Sequence, residues 1–157
     1  MEKYSRRNSR VFVDGDACPV NKEIAKIAKM YDQDVLFVAS YAHMRKDEGQ
    51  NEWKYVDSEA EEVDLYILNM AQRGDIVVTQ DTGLASMLIG KGVYVLSPRG
   101  KYYNKEDMDQ ILFFRYASAK ERRAGRYPKG GPSSFSENDR QNFKESFIKL
   151  LSNLKGI

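Results

Sequence analysis

The chain has 157 residues with 41% apolar content, enough for one packed domain and too much for a disordered chain. Its single cysteine, Cys18, excludes an internal disulfide and a cysteine-rich zinc site, and its single histidine, His43, excludes a Ser-His-Asp triad built with any other ring. Charge is nearly balanced at +2, from 25 basic and 23 acidic residues, so no global positive field is present.

No apolar run approaches the ~20 residues of a membrane helix, and Met1–Arg10 lacks the apolar core of a signal peptide. The expected location is therefore cytoplasmic, with no membrane partner. Residues 1–9 are expected as a tail and 10–157 as one domain.

In chain order, Arg10–Asp14 is an apolar run ending in a carboxylate, the mark of a buried strand. Pro19 suits the first turn of a helix, and Val20, Ile24, Ile27, Ala28 and Tyr31 recur at helical spacing. Asp34–Ser40 reads as a second buried strand, Tyr41–Asn51 as a loop and Trp53–Val56 as a short strand. Ser58 with Glu61 has capping-box spacing and predicts a helix striped by Val63, Ile67, Met70 and Ala71, closed at Gly74.

Ile76–Thr79 is a strand followed at once by Asp81 and a short helix through Leu84 and Leu88. Val93–Leu96 is the last predicted strand. Asn104 caps a helix running through Met108, Ile111, Leu112 and Tyr116. Residues 117–136 are expected as a mobile loop containing a Gly/Pro/Ser stretch. A final helix carries an apolar Phe143–Phe147–Leu151 stripe, read as core or as a contact in a possible homodimer. Strands alternating with helices define an α/β class, a mostly parallel central sheet with helices on both faces.

Ligands of such sheets bind beyond the carboxyl ends of the strands, where strand order reverses. Asp14 and Asp16 close the first strand, Asp81 closes the strand of residues 76–79, and Asp64 lies early in its helix. Carboxylates gathered at one edge repel each other and raise each other's pKa. Mg²⁺ or Mn²⁺ relieves that repulsion, prefers oxygen ligands and activates water for phosphoryl chemistry. Each aspartate is open to a second reading, as a cap of the helix that follows it.

Asp14-Gly15-Asp16-Ala17-Cys18-Pro19 resembles the DADACP signature of the bacterial YaiI/YqxD family, grouped with PIN-like nuclease domains. Val63-Asp64 with Ile67, Gly74–Asp81 with Leu84-Ala85, Ser97-Pro98-Arg99-Gly100, Gly130-Gly131-Pro132 and Asp139-Arg140 with Phe143 follow in the family's order, across residues 10–150. The resemblance implies a PIN-like three-layer sandwich. It also places Asp14, Asp16, Asp64 and Asp81 where PIN-type nucleases keep metal-binding acids. Gly15 replaces the family's usual alanine, a change expected to be harmless, and Ser97 replaces its asparagine.

Arg99 and Lys101 follow the last strand on the same expected edge and are candidates for a phosphate. Arg122, Arg123, Arg126 and Lys129 form a basic strip with Arg115 and Lys120 against the single acid Glu121. Tyr102, Tyr103, Tyr116 and Tyr127 are interleaved with these bases, a combination suited to single-stranded nucleic acid. Each also reads as ordinary charged surface or helix packing. Cys18 is expected to be packed and His43 to be an exposed loop residue. The leading expectation is an Mg²⁺- or Mn²⁺-dependent nuclease, with Asp14, Asp64 and Asp81 as ligands, Asp16 in support, and single-stranded RNA as substrate. A non-catalytic RNA- or nucleotide-binding module is the first alternative. A haloacid-dehalogenase-like phosphatase, suggested by Asp14-x-Asp16, is the second.

Overall fold

The computed structural model describes residues 8–43, 51–59, 61–126 and 133–157. Lys129, Tyr127 and the Gly130-Gly131-Pro132 motif lie outside the described residues, as do residues 1–7 of the expected tail. The strands are β1 (Val11–Asp14), β2 (Val35–Ser40), β3 (Glu52–Val56), β4 (Ile76–Val78), β5 (Tyr94–Leu96) and β6 (Tyr102–Tyr103). The helices are α1 (Asn21–Met30), α2 (Glu62–Met70), α3 (Thr82–Gly90), α4 (Lys105–Arg123) and α5 (Glu137–Lys155).

The strands form one sheet in the order β3-β2-β1-β4-β5-β6. All neighbours are parallel except β5 and β6. Strand order therefore turns at β1 and β4, which register Val11 opposite Ile76 and Val13 opposite Val78. Alternation along the strands divides the core into two layers. Val11, Val13, Phe37, Ile76, Val78 and Leu96 pack with Ile24 and Ile27 of α1 and Phe143, Phe147 and Leu151 of α5. Phe12, Val38, Val77 and Val95 pack on the opposite face with Ile67 of α2, Leu84 and Leu88 of α3, and Met108 of α4. This is a three-layer α/β arrangement. Phe143 and Phe147 are fully buried within it, so that stripe is core. Cys18 is buried in the same layer.

Several boundaries differ from the sequence expectation. Pro19 precedes the helix, which begins at Asn21 with Val20 as its N-cap. The helix expected from Ser58 begins at Glu62, with Glu61 as an N-cap in the left-handed region and no side-chain cap. The reason is that Ser58 Oγ accepts the backbone N–H of Ala42 at 2.9 Å instead. β6 was not expected; two residues give no readable alternation. α4 continues through Arg123, seven residues into the expected loop, because Ala117, Ala119, Lys120 and Glu121 are strong helix formers. Asn104 does cap it, accepting from Asp107 N at 2.8 Å.

The turn after β5 fixes how closely α5 approaches the sheet. Gly100 has φ +92°, and a Cβ there would stand 2.7 Å from the Asn142 carbonyl carbon and oxygen. Its own carbonyl accepts from Ser146 Oγ at 2.8 Å. A Gly100→Ala variant combines a left-handed alanine with a backbone collision, and is expected to lose about 3 kcal/mol of stability. Urea denaturation checks this; an unchanged midpoint would show that α5 slides without cost.

Candidate active site

Asp14 ends β1 on the face that carries Phe12, toward α2 and α3. Its Oδ2 accepts a hydrogen bond from Thr79 Oγ1 at 3.0 Å, and Thr79 Oγ1 in turn accepts the backbone N–H of Asp81 at 3.0 Å. Thr79 is 1% exposed, so this hydroxyl bridges β1 and the turn after β4 from inside the protein. Asp81 is the N-cap of α3, its Oδ1 accepting from Leu84 N at 3.0 Å. Asp64 lies in the first turn of α2 and hydrogen-bonds through its side chain to Asp81. The two readings of Asp81 are therefore both physical: one oxygen caps a helix while the carboxylate faces Asp64.

The electrostatics follow from this crowding. Burial pushes Asp14 from its ordinary 3.8 up to about 6; the Thr79 hydrogen bond pulls it back, and the Asp16 and Asp81 charges add to the rise. Burial likewise pushes Asp64 up to about 7, reinforced by its hydrogen bond to Asp81 and by the charges of Asp81, Asp14 and Glu61. A hydrogen bond between two carboxyl groups needs a proton between them, and the raised Asp64 carboxyl supplies it.

Asp16 is held apart from that pair. Its carboxylate accepts the backbone N–H of Ser40 at 3.2 and 3.3 Å. His43 Nδ1 stands 3.3 Å from Asp16 Oδ1 and 2.9 Å from Ser40 Oγ. His43 is thus not merely a loop residue: it closes a small network around Asp16. Ala17 follows with φ +57°, a conformation costly for a residue bearing a Cβ, and it turns the chain from Asp16 toward α1. Gly15, where the family usually carries alanine, lies against the Trp53 ring. A Cβ on Gly15 would stand 3.0 Å from the Trp53 ring and 3.1 Å from the Val38 carbonyl oxygen, so glycine here is matched to the indole.

The expected phosphate-binding cations are dispersed. Arg99 donates to Asp139 Oδ2 at 2.9 Å, to Ser133 Oγ at 3.3 Å and to the Ser133 carbonyl oxygen, and lies over Phe135. It ties the β5 turn to the start of α5, on the face opposite Asp14. Lys101 pairs with Asp107 at 3.6 Å, and Arg126 pairs with Glu121 at 2.6 Å. Arg122 and Arg123 lie exposed in the last turn of α4, where cations complement the helix dipole. Ser97, in the place of an asparagine, accepts the backbone N–H groups of Arg99 at 3.3 Å and Lys101 at 3.0 Å and so orders the β5–β6 turn.

Thr79 and His43, outside the expected set, join the site, as does Arg115 of the basic strip. Strand alternation from Val77 places Thr79 on Asp14's face, a signal present in the sequence. Arg115 donates from Nη1 to Thr82 Oγ1 at 3.0 Å, reaching from α4 to the start of α3. No local sequence pattern announces that contact or the one made by His43.

Fold and site together define a three-layer α/β protein with acidic side chains at the switch point of its sheet. The chain matches the family model described as "Uncharacterized BCR, YaiI/YqxD family" over residues 12–153, and it belongs to that family. It is 57% identical over 149 residues to a UPF0178 protein of Bacillus cytotoxicus, covering 95% of this chain and 97% of that one. It is 44% identical over 144 residues to a UPF0178 protein of Listeria welshimeri, covering 92% of this chain and 96% of the relative. A UPF0178 protein of Halalkalibacterium halodurans is 46% identical over 147 residues, 94% of this chain and 93% of the relative. No solved structure matches significantly. Among the described residues no helix is long and apolar enough to cross a membrane.

Proposed function

We propose that this protein is a divalent-cation-dependent nuclease that hydrolyses phosphodiester bonds in single-stranded RNA. The observation that carries the reading is the gathering of Asp14, Asp64 and Asp81 from three elements at one edge, with Asp14 and Asp64 both pushed toward neutral pKa values. Carboxyl groups gathered with no basic partner among the described residues suit a cation, and an all-carboxylate donor set suits Mg²⁺ or Mn²⁺. Among the described residues no group of three acids, histidines or cysteines stands close enough to ligate as placed. Loading would therefore require the three carboxylate side chains to turn toward one another. RNA as the substrate rests on the sequence resemblance to PIN-type nucleases.

In this reading Asp14, Asp64 and Asp81 hold the ion, which supplies Lewis-acid polarisation of a phosphoryl oxygen. Thr79 positions Asp14 against the Asp81 backbone. Asp16, fixed by Ser40 and His43, adds negative charge at the mouth of the site. The Asp64 carboxyl, pushed up to about 7, must lose its proton on loading, so affinity for the ion rises as pH passes from 6 to 8. The test is a labelled single-stranded oligoribonucleotide incubated with the protein in Mn²⁺ or in EDTA. Cleavage only in Mn²⁺ is the expected outcome, with binding weakening steeply between 50 and 300 mM salt. Failure to cleave in either condition would contradict the reading.

One observation favours a second reading, a nucleic-acid-binding module whose acids are not catalytic: the same lack of a preformed ligand group among the described residues. RNA bound equally by wild type and by Asp14→Asn and Asp81→Asn, without cleavage in Mn²⁺, would establish it.

A further inference from the structure

We propose that the cleft between the start of α3 and one face of α4 seats the stretch of single-stranded RNA next to the reacting phosphate; this rests on the nuclease reading of the carboxylate site. The cleft encloses about 670 Å³ and is lined by Thr82, Ile111, Phe114, Arg115, Ser118 and Arg122, among others. Such a volume accommodates a small organic ligand. Residues 111, 115, 118 and 122 share one helix face, so two arginines flank a floor made by the small side chain of Ser118.

The cleft opens beside Asp81. A Cβ on Gly83 would stand 3.2 Å from Asp81 Oδ1 and 3.3 Å from Arg115 Nη1, so the acid and the guanidinium flank a single small gap. A strand whose phosphate reached Asp81 would pass Arg115 next, a group suited to a phosphodiester oxygen.

The outer surface of α4 supplies a second, independent observation. Phe113, Phe114 and Tyr116 are 68%, 66% and 64% exposed, and the two phenylalanine rings meet edge to face at 6.3 Å. Consecutive exposed aromatic rings on a helix mark an interaction surface. Cations follow them along the helix at Arg115, Lys120, Arg122 and Arg123, while Asp109 lines the surface on the other side of Phe113 and Phe114. The charge of the cleft itself decides the occupant: its lining among the described residues includes Arg115 and Arg122 and no acid, so a polyanion with stackable bases satisfies both the charge and the rings.

The test is fluorescence anisotropy with a labelled 12-nucleotide oligouridylate and the full chain in EDTA, where binding is read apart from cleavage. Phe114→Ala is expected to weaken binding about 5- to 100-fold, the loss of one stacked base. Arg115→Ala and Arg122→Ala are expected each to weaken it and to lower the slope of log affinity against log salt by about one. Lys149→Ala on α5 serves as control and is expected to bind as wild type. These residues are exposed, so unchanged melting temperatures show that the variants fold.

Weakened binding by the α4 variants supports the assignment even if Mn²⁺ brings no cleavage, an outcome that would remove the nuclease reading alone. Wild-type affinity in all three variants, while wild type cleaves, would overturn the cleft and spare the nuclease. Lack of oligouridylate binding by wild type would overturn the cleft as well. So would loss of self-association in Phe114→Ala with RNA binding untouched, which would give the surface to a second copy.

Discussion

Asp64→Asn is expected to reduce Mn²⁺-dependent cleavage of single-stranded RNA by at least ~100-fold, since supporting groups around metal ligands already cost 10–100-fold when removed. The substitution keeps size and shape, and Asp64 sits in the first turn of α2 with no capping role, so the fold has little reason to weaken. The comparison with Asp81→Asn is informative for the same reason. Asparagine caps a helix as well as aspartate does, so the bond to Leu84 N survives while one negative charge is lost. Both variants should melt no lower than wild type and cleave poorly; because folding raises the Asp64 pKa to about 7, loss of that charge favours the folded state at pH 7.5, as it does at Asp14. Full cleavage by Asp64→Asn, measured on the same labelled strand, would remove Asp64 from the site.

The second large effect runs in the opposite direction. Asp14→Asn is expected to stabilise the protein at pH 7.5. The folded-state pKa of Asp14 lies at about 6, above its ordinary 3.8. A carboxyl group raised by folding favours the folded state while it is protonated. Its contribution is therefore fully present below about pH 4 and is lost as pH rises through 6. At 1.36 kcal/mol per pKa unit the loss is about 2–3 kcal/mol, or about 6–9 °C in melting temperature for a chain of this size. The amide carries no charge at any of these pH values and still offers an oxygen to Thr79 Oγ1. The variant should therefore melt higher than wild type at pH 7.5 and alike at pH 4. Scanning calorimetry at the two pH values checks this; a variant less stable at pH 7.5 would mean that the Asp14 carboxylate is satisfied as it stands. The same strain leads to a further expectation, that Mn²⁺ stabilises wild type at pH 7.5 more than it stabilises the variant.

What the sequence made legible was whatever local pattern controls. The run Arg10–Asp14, the alternation of strands and helices and the Asn104 cap all come from near neighbours, and all are present in the fold. Parallel topology then carried Asp14 and Asp81 to one edge without further information. Asp64 arrives there although Ser58 does not open its helix. Ser58 was taken by Ala42 N across the sheet edge, while the Val63–Ile67 stripe still set the helix phase.

Contacts between distant segments stayed hidden. Arg99 does follow a strand at the correct edge, but its partner Asp139 lies 40 residues later, on a helix that packs on the opposite face. Lys101 and Arg126 were likewise claimed by acids whose side chains no periodicity could aim. The contacts of His43 and Arg115 leave no mark in the sequence, because their partners, Asp16 and Thr82, meet them only in the folded chain. The basic strip was visible as composition. Its division into paired arginines and cleft-lining arginines required α4 to be seen whole.

Binding of Mn²⁺ measured by titration calorimetry at pH 7.5, on wild type and on Asp81→Asn, tests the central claim most directly. Saturable binding by wild type, accompanied by proton release and lost in Asp81→Asn, is the result expected if the gathered carboxylates form a cation site. Lack of binding by wild type, or equal binding by both proteins, would contradict it.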